Sequence, residues 1–67
     1  MNFVKLTDSN TSTLIYVNIE AIFAFYKFGD RGTTIELKSD ESYRVSEEPE
    51  EILEMIENTI NKNNNKH

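Results

Sequence analysis

Carboxylates are the densest reactive groups in this chain. Six of its twelve acidic residues fall between Glu47 and Glu57, within "SEEPEEILEMIENTINK". A pair of carboxylates can divide acid and base work when their environments differ. This run has helical spacing instead, which makes it a charged first turn and a solvated face. The stretch "DSNTS" (8–12) opens like a calcium loop. Such a loop needs a glycine at its sixth position and a carboxylate at its twelfth. Thr13 and Ile19 stand there, so the loop is rejected. "GDRG" (29–32) is too short for a phosphate loop and leads into a β-prone run rather than a helix. The chain has no cysteine, and its one histidine is His67. Covalent catalysis needs a nucleophile beside a base, and no such pair is visible. No enzyme, cofactor or metal site is expected.

The elements that would position any site are short. "NFVKLT" (2–7) and "TLIYVN" (13–18) read as strands rich in β-branched and aromatic residues. "DSNTS" between them is a turn, with Asn10 suited to a left-handed conformation. "NIEA" (18–21) reads as one helical turn capped by Asn18, with Ile19 and Ile22 toward the core. A third strand runs from Ile22 to Phe28. "GDRG" closes a hairpin onto "TTIELK" (33–38), and "SDES" turns the chain into "YRV" (43–45). The helix opens with Ser46 as the expected cap and Pro49 in its first turn. Ile52, Leu53, Ile56 and Ile60 form its apolar stripe, flanked by Met55 and Thr59. "NKNNNKH" (61–67) is expected to be a disordered polar tail.

This order predicts a single α+β domain over residues 1–60. Its antiparallel meander of four or five strands, flat or curled into a partial barrel, is packed by one C-terminal helix. Val4, Leu6, Ile15, Val17, Ile22, Ala24, Ile35, Leu37 and Val45 would face the helix. Below about 70–80 residues a single core rarely supplies more than ~3–5 kcal/mol. Without a disulfide or a metal, packing and oligomerisation must supply the rest.

The eight residues "AIFAFYKF" (21–28) contain four aromatic rings and one charge. A strand buried on one face alternates apolar with polar residues, and this one does not. If Ile22 and Ala24 face the helix, Phe23 and Phe25 face away. By the same parity Phe3, Leu14 and Tyr16 also face away. Five large side chains on an uncovered face would mark an interaction surface. Three readings are open: a homodimer through this face or an edge strand, a curled sheet or bulge that buries the rings, and docking of a different protein. The homodimer is the working expectation.

Charge narrows the partners. The net charge is −5. Residues 1–46 carry five basic and six acidic groups, and residues 47–67 carry two and six. No basic stripe is present to neutralise phosphates, which argues against nucleic acid. Stacking of bases on the rings beside Lys5 and Lys27 is the alternative function. No run reaches the ~18 apolar residues of a membrane span. The opening residues lack a signal-peptide pattern, so a cytoplasmic location is expected and the "NTS" at Asn10 is read as a chance sequon.

The order "FVKLT…IYVNIEAI…GTTIELKSDESYRVSEEPEEILEMI" resembles the small FlbD-type flagellar-associated proteins of bacteria. In that family "KLT", "YVNP-D-I", a strand bearing threonine and leucine, and "V-ES-EEV" lead into a short helix. The likeness spans residues 3–60. Ile19 stands where the family often has proline, and Glu48 where a serine cap is expected. It implies a small non-enzymatic protein connected to motility, with no catalytic residues to carry over. "VNIEAIFAF" (17–25) is also similar to the "L-ED-I-Y-E" slot in the first half of LytTR-type DNA-binding domains. The basic C-terminal part of those domains is absent here, so that likeness implies a strand arrangement and not DNA binding.

Overall fold

The computed structural model describes residues 2–64. Strands β1 (Phe3–Thr7) and β2 (Leu14–Asn18) come first, followed by a 3-10 turn (Ile19–Ala21). Strands β3 (Ile22–Lys27), β4 (Thr33–Leu37) and β5 (Ser42–Val45) precede helix α1 (Pro49–Asn64). The expected elements are present in the expected order.

Their sheet pairing differs from a single meander. β1 and β2 form one antiparallel sheet, and β3, β4 and β5 form a second in that order, with no closed barrel. The chain is redirected at Ile19–Ala21, where Asn18 Oδ1 accepts from the Glu20 N–H at 3.0 Å. This tight capped turn starts β3 in a new sheet instead of laying it beside β2. The sheets are joined elsewhere. Asp8 bridges Val45, Ser9 N–H donates to the Arg44 carbonyl at 2.9 Å, and Ser46 N–H donates to the Thr7 carbonyl at 2.9 Å. The end of β1 thus meets β5.

A bulge in β3 decides where the rings go. Ile22 lies opposite Leu37 and Ala24 opposite Glu36, with the register shifted between them. Phe23 is the extra residue, and an extra residue reverses side-chain parity downstream. Phe25 therefore sits opposite Ile35, on the inner face, and packs against the core. The expectation that Phe25 faces away is corrected here. Ala24 moves the other way and shares a face with Glu36, not with Ile35.

Val4, Leu6, Val17, Ile35, Val45 and Ile52 form the buried core. Ile15, Ile19, Ile22, Phe25, Leu37, Met55 and Ile56 pack around it. α1 is rotated from the orientation its stripe suggests. Ile52 is fully buried, while Leu53 and Ile60 are exposed. The contact face is Ile52, Met55, Ile56 and Thr59. The cap also differs from the expected Ser46. Glu48 immediately precedes α1, and its N–H donates to Oε1 of Glu51 at 2.8 Å, the back-reaching half of a capping box. Ser46 instead follows β5 and gives its N–H to the Thr7 carbonyl. The helix continues to Asn64, so residues 61–64 are helical and not part of a disordered tail. No glycine or proline follows Pro49 to stop it, and Lys62 suits the negative end of the dipole. The tail residues 65–67 lie outside the described residues.

In the β1–β2 turn the left-handed residue is Ser12 (φ 60°), not Asn10. Asp8 Oδ1 accepts from the Asn10 N–H at 2.8 Å and sets the loop. Gly32 is demanding on two counts. Its φ is +86°, and a Cβ there would meet the Val45 carbonyl oxygen at 2.6 Å.

Truncation should separate the two sides of α1. Ile52→Ala is expected to cost about 2–5 kcal/mol, the range for buried aliphatic truncations. Leu53→Ala should stay within about 0.5 kcal/mol, as exposed changes do. Urea unfolding followed by circular dichroism checks both, and equal losses would contradict this helix orientation.

Candidate interaction surface

The β1–β2 hairpin has a clean division of faces. Paired positions share a face, so the register puts Val4 and Leu6 with Val17 and Ile15 on the inside. Phe3, Lys5, Thr7, Leu14, Tyr16 and Asn18 lie on the outside. Phe3 is 46% exposed, Leu14 55% and Tyr16 66%. Leu14 and Tyr16 are two apart on one strand, and Phe3 is the diagonal neighbour of Tyr16 across the ladder. These three expected residues are brought together.

The other two are not. Phe25 is on the core, as described above. Phe23 is 72% exposed at the bulge, beside a separate hollow of about 380 Å³ lined also by Glu36, Leu37, Lys38, Asp40 and Ser42. A larger and more apolar groove of about 520 Å³ runs beside β2. It is lined by Phe3 and residues 14–18, with Ala21, Leu37 and Tyr43. Leu37 borders both hollows, which links Phe23 to the hairpin surface.

Tyr43 is a groove residue that sequence reading missed. It lies opposite Ile35, and Ile35 is fully buried. The signal lies in "YRV": Tyr43 and Val45 share parity, and Val45 is a core position. Tyr26 and Phe28 are the other two rings of "AIFAFYKF". Tyr26 Oη donates to Oε2 of Glu36 at 2.6 Å, which raises the Tyr26 pKa from its ordinary value. The Arg44 guanidinium stacks 4.2 Å from the Phe28 ring centre. Both rings therefore have partners within the chain.

The dense carboxylates divide as well. Glu47 accepts from the Thr7 N–H at 2.9 Å through Oε1 and from Thr7 Oγ1 at 3.0 Å through Oε2. Its carbonyl accepts from Thr33 Oγ1 at 2.6 Å. Glu48 accepts from the Gly32 N–H at 2.9 Å and pairs with the Lys27 ammonium. The Gly32 N–H is the main cause that lowers the Glu48 pKa; the Lys27 hydrogen bond and charge add to it, with a contribution from Arg31. These two acids hold structure together. The acids within α1, Glu50, Glu51, Glu54 and Glu57, are exposed. Among the described residues no group of three or more His, Asp or Glu is placed to hold a metal ion. No helix among them is long and apolar enough to cross a membrane.

No protein-family model, curated protein or solved structure matches the chain. The surface must therefore be read from its own geometry.

Glu48 gives a pH dependence with a definite sign. In the unfolded chain its carboxyl titrates near the ordinary value, about 4.3. In the folded chain the value is lower, so the unfolded state binds more protons as pH falls. The contribution is complete above the ordinary value and is lost as pH drops through the folded one. Urea midpoints measured from about pH 6 down to about pH 3 should fall more steeply for the wild type than for Glu48→Gln. Parallel curves would show that the carboxylate charge contributes nothing.

Proposed function

We propose that this chain is a small non-catalytic protein-interaction domain that self-associates through its β1–β2 hairpin, at the exposed aromatic face or the open β2 edge beside it. The observation that carries the reading is the exposed cluster Phe3, Leu14 and Tyr16 beside the groove that reaches Leu37 and Tyr43. Covering a large apolar side chain is worth about 1.5–3 kcal/mol. That is a substantial gain for a domain with six buried apolar side chains among its described residues. Support for a non-catalytic role comes from Glu47 and Glu48, whose carboxylates are engaged in joining elements.

A second copy is the favoured partner, because most oligomers are symmetric and this patch needs no complementary charge to meet itself. Lys5, opposite Tyr16 on the same face, supports contact with nucleic acid as the second reading. The likeness to FlbD-type proteins suggests a motility setting, which flagellar genes beside this one would support.

Sedimentation equilibrium tests the main reading. The expected mass is near twice the 7.8 kDa of the chain. Tyr16→Glu, which sets two like charges against each other where two copies meet, should shift that mass toward the monomer while changing the thermal stability of the monomer little, because Tyr16 is mostly exposed. A monomer mass for wild type at all concentrations would overturn self-association. A salt-sensitive shift with a single-stranded oligonucleotide would favour the second reading.

A further inference from the structure

We propose that two copies of this chain pair antiparallel through their β2 strands, with Tyr16 on the twofold axis. This inference rests on the self-association reading and specifies its contact.

β2 is hydrogen-bonded to β1 on one side and to no strand on the other among the described residues. Two bonds that flank the hairpin fix which groups are spent. Asp8 N–H donates to the Thr13 carbonyl at 2.8 Å, and Ile19 N–H donates to the Asn2 carbonyl at 2.9 Å. Hydrogen-bonded positions alternate along an antiparallel pair. Ile15 and Val17 therefore turn their backbone groups toward β1, while Leu14, Tyr16 and Asn18 turn theirs toward the open edge.

Proteins usually guard an open edge with charge, proline or a bulge. β3, at the edge of the other sheet, has such guards: its bulge at Phe23 and the terminal Lys27, which is tied to Glu48. β2 has none. "LIYVN" contains no charge and no proline, and its register with β1 is unbroken.

The strand is also complementary to itself. Centred on Tyr16, an antiparallel second copy sets Leu14 of one chain against Asn18 of the other, twice. Leu14 and Tyr16 each offer one N–H and one carbonyl, and Asn18 offers its N–H, because its carbonyl already accepts within the 3-10 turn, so the two chains exchange four hydrogen bonds. No like charges meet across the axis. On the outer face the two Tyr16 rings come side by side. On the inner face Ile15 and Val17 of the second copy lie alongside the same pair in the first, which lines the groove. One occupant thus satisfies the open backbone groups and extends the apolar wall.

The absence of cysteine makes the register directly testable. Tyr16→Cys should form a disulfide-linked dimer rapidly under mild oxidation, because residues opposed in a hydrogen-bonded pair have Cα atoms about 5.5 Å apart, within disulfide reach. Two copies of Leu14→Cys would place their thiol-bearing residues about 14 Å apart in this register and should cross-link slower by on the order of tenfold or more. A mixture of Leu14→Cys and Asn18→Cys, which keeps Tyr16, should form the mixed dimer in preference to either homodimer. If the wild type has a dimer mass but Leu14→Cys links as fast as Tyr16→Cys, or the mixture shows no preference, the β2 register is wrong and self-association stands. A wild type that remains at monomer mass overturns self-association itself.

Discussion

Residues Ser46 to Glu48 are where this molecule is tied together. The Ser46 N–H and the Glu47 carboxylate both reach Thr7 on β1. The Glu47 carbonyl takes the hydroxyl of Thr33 on β4. Glu48 takes the Gly32 N–H at the hairpin and the ammonium of Lys27 on β3. Its own carbonyl receives the Ile52 N–H at 3.1 Å and begins α1. Three consecutive residues thus hold both sheets and the helix in one frame. In a larger domain an extensive core would do this. Here a short connector with charge-assisted hydrogen bonds does it. Gly32 is part of the same constraint, since a side chain there would collide with the Val45 carbonyl just before the connector.

That frame places the only α-helix among the described residues against β1 and β3. Ile52 completes a core drawn from both sheets. One helix of this length has one buried face to offer, and it is spent there. The hairpin's outer side receives no cover, and β2 is left at an edge with apolar side chains on both of its faces. The exposed cluster and the open backbone groups are consequences of the same arrangement. A sheet edge without charge, proline or bulge is a site for strand addition.

Much of the architecture is legible from local chemistry. β-branched and aromatic residues mark the strands, the glycines at 29 and 32 mark the β3–β4 hairpin, and Asn18 caps the turn assigned to it. Phe3, Leu14 and Tyr16 fall outside by simple alternation from Val4, Ile15 and Val17. What escapes local reading is set at long range. Thr7 and Glu47 are forty residues apart, and nothing in "SEEP" distinguishes an acid that joins strands from one that faces water. The β3 bulge moves Phe25 inward, while the sequence signals only that alternation fails somewhere in "AIFAFYKF". The rotation of α1 follows the same pattern. Ile52 and Leu53 are adjacent and equally apolar, and only the position of the sheets decides which is buried.

The central claim is that the open edge of β2 is covered by a second copy of the chain. Amide hydrogen exchange, measured residue by residue over a range of protein concentrations, tests it most directly. The account predicts that the amides of Tyr16 and Asn18 slow as concentration rises, while exposed turn amides such as that of Ser39 keep their rates. Tyr16 and Asn18 amides that exchange at unprotected rates at every concentration would contradict it.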